Sequence, residues 1–74
     1  MNRNDAQSLI SSEYDRATSR YPKFNSPHEG YAVILEELDE LKAVVWKSHN
    51  TPVELRAEAK QVAAMALRFM VDLC

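Results

Sequence analysis

The sequence predicts an all-α domain made of a short first helix and a long antiparallel helical hairpin. Two helix-start signals of the same form, Ser26–Glu29 and Thr51–Glu54, lie about 25 residues apart. In each, a hydroxyl side chain can cap the helix, proline suits the first helical position, and glutamate completes a capping box. One glycine and three prolines in 74 residues argue against a turn-rich β fold, and no alternating strand pattern occurs.

The first helix is expected over Asp5–Arg20, with Asn4 as its N-cap. Its apolar residues recur with the i, i+3, i+4 spacing that is typical of an amphipathic helix, at Ala6, Leu9, Ile10, Tyr14 and Ala17. We expect Tyr21–Asn25 to connect this helix to the hairpin, because Pro22 disfavours a helical conformation of Tyr21.

The hairpin helices are expected at Pro27–Lys47 and Pro52–Leu73, joined by a short loop at 48–50. At about 1.5 Å per residue each helix would be roughly 30–35 Å long, and so short a loop makes the two helices antiparallel neighbours. A chain of this size buries only about 60% of its unfolded surface, which leaves a thin core. We therefore expect hairpins of two chains to pair as a four-helix bundle.

The formal net charge conceals an acidic cluster. Nine Lys and Arg against eleven Asp and Glu give −2, which argues against a generic nucleic-acid-binding protein. Four of the acids lie within Glu36–Glu40, and the other seven against nine bases leave the rest at +2. The one cysteine, Cys74, excludes an intramolecular disulfide framework and a cysteine-based zinc site.

No targeting or membrane-spanning segment is recognisable in the sequence. The longest apolar stretch, Val62–Cys74, is interrupted by Arg68 and Asp72 and is shorter than the roughly 20 residues that a membrane span needs. We therefore expect a cytoplasmic protein that contacts no membrane.

Helical geometry places Glu37 and Glu40 on the packing face of the second helix. At about 100° per residue, Glu40 lies roughly 60° from Glu37, and apolar residues lie within about 40° of it, namely Val33, Leu41 and Val44. Glu58 and Gln61 occupy an equivalent place on the third helix, within an apolar arc that contains Val62, Met65 and Phe69. Ionised carboxylates at such positions would cost several kcal/mol without a cation.

The two faces can meet in an antiparallel hairpin, which predicts an oxygen-only cluster of Glu37, Glu40, Glu58 and Gln61. Oxygen ligands without histidine or cysteine suit Mg²⁺, with Mn²⁺ as the close substitute. No glutamate is followed by histidine three residues later, so the di-iron carboxylate pattern is absent. The alternative is that the acids form a solvated helix face, an interpretation that suits Asp39 and Glu36 best.

The same residues resemble a known enzyme family. Glu36–Glu40 (EELDE) matches the EExxE motif of the MazG-like all-α nucleoside triphosphate pyrophosphohydrolases, and Glu58–Gln61 (EAKQ) stands where that family has ExxD. The resemblance extends over about Glu29–Leu73. It implies Mg²⁺-dependent cleavage of a nucleoside triphosphate to the monophosphate and pyrophosphate by a homodimer or homotetramer. Its implied metal ligands are Glu37, Glu40, Glu58 and Gln61, and Glu36 or Glu37 would accept a proton from the attacking water.

Gln61 departs from the family pattern, because an amide replaces the aspartate and lowers the number of charged ligands from four to three. Lys47 or Arg68 would neutralise the phosphates, although each could instead be a solvated helix-edge side chain, and Asp72 could contact a base or ribose. Two alternatives therefore stay open. One is a degenerate relative that binds nucleotide or metal without turnover, and the other is a structural helical module for oligomerisation.

Overall fold

The computed structural model describes all 74 residues and is entirely helical, which confirms the all-α prediction. Its elements are α1 (Arg3–Arg20), α2 (Pro27–Val45) and α3 (Pro52–Leu73). The side chains of Ser26 and Thr51 accept hydrogen bonds from the backbone N–H groups of Glu29 and Glu54, at 3.1 and 3.2 Å. These caps satisfy amide groups that the first helical turn leaves without partners.

Two helix boundaries differ from the expected ones. α1 begins earlier, because Asn2 rather than Asn4 is its N-cap and accepts the Asp5 N–H at 2.8 Å. α2 ends at Val45 rather than Lys47. The backbone N–H of the C-cap residue Trp46 donates to the Lys42 carbonyl oxygen at 3.0 Å, and the Asn50 amide donates to the Val45 carbonyl oxygen at 3.4 Å.

The helix α3 lies between the other two and packs against both, whereas α1 and α2 do not pack against each other. The buried apolar residues are few and are joined by half-buried neighbours on α2 and α3; they are Ala17, Phe24, Ala64 and Met65. Gly30 permits the close approach of α2 to α3, because a Cβ atom there would lie 2.6 Å from Phe69 Cδ2. This contact sets the spacing of the two helices that carry the predicted ligands.

Much apolar surface is left exposed. Only seven of the 74 residues are buried, and no large side chain is completely enclosed. The exposed apolar side chains include Trp46, which is 74% exposed, and several along α2 and α3, namely Tyr31, Leu35, Leu38, Val45, Met70 and Val71. None of the three helices combines the length and apolar character needed to cross a membrane.

Candidate metal centre

Three carboxylates converge between α2 and α3. Glu37, Glu40 and Glu58 each offer a carboxylate oxygen, and these oxygens all lie within 4.8 Å of one another. Glu37 and Glu58 are half-buried and Glu40 is exposed. Two oxygens on opposite sides of Mg²⁺ are about 4.2 Å apart, at about 2.1 Å per bond. Side-chain movements below about 1 Å would therefore suffice for these oxygens to share one ion.

The trio forms no ion pair within the protein. The ion pairs of the structure join Glu13 to Arg16 and Lys60, and Glu54 to Lys47. Burial raises the pKa of Glu37, and the neighbouring carboxylates Glu40, Glu58 and Glu36 raise it further. A bound cation would reverse this repulsion, so the donor set fits a hard divalent ion.

A cavity of about 390 Å³ adjoins Glu37. It lies in the cleft between α1 and α2, with α3 as its floor and the 21–25 connector at one end. Charged and polar side chains from all three helices line it, namely Glu13, Arg16, Glu29, Glu36, Glu37, Gln61 and Arg68. The structure thus brings four of the predicted site residues to one cavity: Glu36, Glu37, Gln61 and Arg68.

Arg68 is buried rather than solvated at a helix edge, with only 4% of its surface exposed. Its Nη2 donates to the Pro22 carbonyl oxygen at 2.8 Å, and its guanidinium lies 4.3 Å from the centre of the Phe24 ring. The helix-edge alternative is wrong because the connector folds back over α3. No carboxylate pairs with Arg68, and its Nε is buried without a hydrogen-bond partner.

Neither Lys47 nor Asp72 lines the cavity beside Glu37 or belongs to the carboxylate trio. Lys47 forms an ion pair with Glu54 near the loop of the hairpin. Asp72 accepts the backbone N–H of Phe24 at 3.1 Å and lines a second cavity together with Lys23. Both side chains therefore have structural partners, and Asp72 helps to hold the connector on α3.

Glu13 and Arg16 are charged residues of the cavity that the sequence did not single out. Glu13 is only 5% exposed, and Arg16 Nε donates to its two carboxylate oxygens at 3.0 and 3.2 Å. Arg16 holds the pKa of Glu13 below its usual range against the opposing effect of burial, with smaller contributions from Lys60 and Gln61. The signal was present, because Glu13 lies in the apolar stripe of α1 between Ile10 and Ala17.

The arrangement can bind a divalent cation at the trio and an anion near the unpaired Arg68, with space between for a small molecule. Comparison with protein-family models, curated proteins and solved structures found no match. What the site can do chemically follows from its own side chains.

Proposed function

We propose that the protein is a Mg²⁺-dependent nucleoside triphosphate pyrophosphohydrolase, which converts a (deoxy)nucleoside triphosphate to the monophosphate and pyrophosphate. The observation that carries the proposal is the trio of Glu37, Glu40 and Glu58, whose oxygens lie within 4.8 Å of one another and form no ion pair. The resemblance of Glu36–Glu40 and Glu58–Gln61 to the MazG-like motifs agrees with it. A substrate of this class is consistent with a cytoplasmic location.

The role proposed for each residue follows from its position in the site. Glu37, Glu40 and Glu58 would hold Mg²⁺, or Mn²⁺ as its substitute, which supplies charge neutralisation and lowers the pKa of bound water. Glu36 lines the cavity beside Glu37 and would accept the proton from the attacking water. The water oxygen bonds to the α-phosphorus while the bond from that phosphorus to the bridging oxygen breaks, and pyrophosphate leaves.

Arg68 would supply the positive charge of the protein beside the substrate cavity. Its buried positive charge has no carboxylate partner, so a phosphate group in the cavity would provide the missing anion. Lys47 and Asp72 are bound to Glu54 and Phe24 and have no part in this role. The cavity of about 390 Å³ is within the usual range for small-molecule sites.

The direct test is pyrophosphate release from a panel of ribo- and deoxyribonucleoside triphosphates in the presence of Mg²⁺. We expect release from at least one nucleotide, with loss of activity in excess chelator and recovery with Mn²⁺. A complete absence of release, while a known pyrophosphohydrolase is active in the same assay, would contradict the proposal.

Gln61 favours a second candidate function, that of a non-catalytic relative. An amide oxygen can bind Mg²⁺ but brings no charge, so metal and nucleotide could bind without turnover. Saturable binding of a Mn²⁺–nucleotide complex without pyrophosphate release would identify this case.

We further propose that two copies pair through the side of the hairpin that faces away from the cavity. On α2, exposed apolar residues lie about 80–160° around the helix from Glu37, on the side opposite Glu36. They are Tyr31, Leu35, Leu38 and Val45. On α3, Ala66 and Met70 continue this surface on the side opposite Gln61 and Arg68.

A second copy is the occupant that suits this surface. The face measures about 28 by 20 Å, of the same order as the roughly 800 Å² that each partner buries in a standard interface. It would also supply the apolar burial that the thin core lacks, and it leaves the carboxylate trio on the outside of a four-helix bundle. Sedimentation should show a dimer or tetramer that Leu38→Glu dissociates. A stable monomer of the unaltered chain at micromolar concentration would contradict pairing, and a structural module would then lose its support as well.

A further inference from the structure

The connector at 21–25 makes two direct contacts with the Arg68 side chain. The Pro22 carbonyl oxygen accepts a hydrogen bond from Arg68 Nη2 at 2.8 Å, and Arg68 Cζ lies 4.3 Å from the centre of the Phe24 ring. Phe24 is only 7% exposed, so the contact between the cation and the ring is shielded from water. Such a contact is stronger when desolvated than at an exposed surface. Phe24 therefore helps to hold the guanidinium in one orientation.

Asp72 is the acid of α3 that would be expected to neutralise Arg68, because it lies four residues later, about one helical turn away on the same side. No ion pair joins the two residues. Asp72 instead accepts the backbone N–H of Phe24 at 3.1 Å. Phe24 thus engages both side chains, Asp72 through its N–H group and Arg68 through its ring.

Arg68 keeps donors as well as charge that the protein does not use. A guanidinium carries five N–H donors, and the protein accepts two of them, at the Pro22 carbonyl oxygen and the Met65 sulfur. Arg68 Nε is buried and has no partner. Arg68 and Phe24 both line the cavity beside Glu37. An anion in this cavity would therefore meet a positive charge that no carboxylate has neutralised.

We propose that Phe24 is a positioning residue, which keeps the Arg68 guanidinium apart from Asp72 and available to a phosphate group in the cavity. The identity of that group as part of a nucleoside triphosphate rests on the proposed function, whereas the contacts of Phe24 with Arg68 and Asp72 do not. Without the ring, the Arg68 side chain is free to turn toward Asp72. An ion pair between them would neutralise the charge that the phosphate requires.

Binding of tripolyphosphate to the full chain, measured by calorimetry without metal, tests this role, with Phe69→Leu as the matched control. Phe69 is the other phenylalanine of the chain and packs against Gly30 of α2. We expect Phe24→Leu to weaken the binding about 5-fold, because the contact between cation and ring is lost. Phe69→Leu should change it less than about 2-fold. Equal weakening in both variants, no weakening in Phe24→Leu, or no binding by the unaltered chain would overturn the proposal.

A conservative change at the same position separates the ring from simple packing. Phe24→Tyr retains the aromatic face, so its affinity for tripolyphosphate should stay within about 2-fold of that of the unaltered chain. A loss as large as that in Phe24→Leu would contradict the role of the ring. If Phe24→Leu does not fold, Phe24→Met provides the same test, because methionine is an adaptable apolar side chain without a ring.

A second substitution tests the capture of Arg68 by Asp72. Asp72→Asn keeps an oxygen that can accept the Phe24 N–H but removes the negative charge. Phe24→Leu/Asp72→Asn should therefore recover most of the affinity that Phe24→Leu loses. Asp72→Asn alone should change tripolyphosphate binding less than about 2-fold. Additive effects of the two changes, with no recovery, would overturn the proposal.

The outcome for Phe24 is distinct from that for the proposed function. Tripolyphosphate binding that depends on the Phe24 ring, in a protein that releases no pyrophosphate from any nucleotide, would support the positioning role and contradict the proposed function. Pyrophosphate release together with tripolyphosphate binding that Phe24→Leu leaves unchanged would support the proposed function and contradict the positioning role.

Discussion

Glu13 and Glu37 line the same cavity, yet their environments are opposite. Glu13 is the more buried of the two, but Arg16 outweighs the burial and lowers its pKa. Glu37 is half-buried, and its like-charged neighbours add to burial and raise its pKa. The protein thus pairs Glu13 with cations, whereas Glu37 and its carboxylate neighbours form no ion pair. On the proposed function, the Glu37 end would take its cation from solution.

The largest expected effect comes from removing a charge at the Glu37 end. Glu40→Gln should lower pyrophosphate release at least about 100-fold, because it withdraws one of three charged metal ligands. Asp39→Asn is the control, since Asp39 is adjacent in sequence and lies outside the trio. Steady-state assays at saturating Mg²⁺ measure both. Equal loss in the two variants, or activity retained in Glu40→Gln, would show that the trio is not the metal site.

A steric change tests the packing that brings the trio together. Gly30→Ala should destabilise the protein by about 1–2 kcal/mol, because overpacking against the Phe69 ring exceeds the gain in helix propensity. Chemical denaturation measures this loss. Gly30→Ala/Phe69→Leu removes the opposing ring atoms, so its loss should be smaller than the sum of the two single losses. Simple additivity would mean that α2 and α3 are not in close contact there.

The pH dependence of protein stability should distinguish the carboxylate of Glu37 from that of Glu13. The raised pKa of Glu37 means that the metal-free protein loses stability as pH rises from 4.5, the ordinary pKa of this carboxyl group, through its raised pKa in the folded protein. The lowered pKa of Glu13 has the opposite sign, so its stabilisation is present above 4.5 and is lost as pH falls through its folded pKa.

Melting temperatures measured across this acidic range, without metal, should shift by a few degrees. Glu37→Gln should abolish the loss of stability on the side of higher pH, and Glu13→Gln should abolish the loss at lower pH. If both variants changed the melting temperature on the same side of the pH profile, the environments of Glu13 and Glu37 would not differ as described.

The smallest expected effect is that of Gln61→Asp. This change restores the aspartate of the resembled motif, but it adds a carboxylate to the cavity that Glu13 already lines. Pyrophosphate release should therefore change by less than about 2-fold. A gain of an order of magnitude would instead identify Gln61 as a degenerate ligand.

The sequence predicted the features that depend on local spacing. The i, i+3 pairs placed Glu37, Glu40 and Glu58 toward one another, and the caps at Ser26 and Thr51 located the hairpin helices. Local rules failed at the start of α1, where Asn2 rather than Asn4 is the N-cap, and at the end of α2, which stops two residues before Lys47.

Non-local packing determined the remaining features. The burial of Arg68 follows from the return of the 21–25 connector over α3, which one helix face does not reveal. The Glu13–Arg16 pair is local in sequence, but its place beside Gln61 depends on how α1 packs against α3. Arg68 and Glu13 therefore line the cavity because of contacts between elements that are distant in the chain.

Direct titration with Mn²⁺, followed by the electron paramagnetic resonance signal of the free ion, tests the central claim that the Glu37 end requires an external cation. The unaltered protein should remove Mn²⁺ from solution in a saturable manner, Glu37→Ala should lose this binding, and Asp39→Ala should retain it. An identical free-ion signal in the unaltered protein and Glu37→Ala would show that the three carboxylates hold no metal.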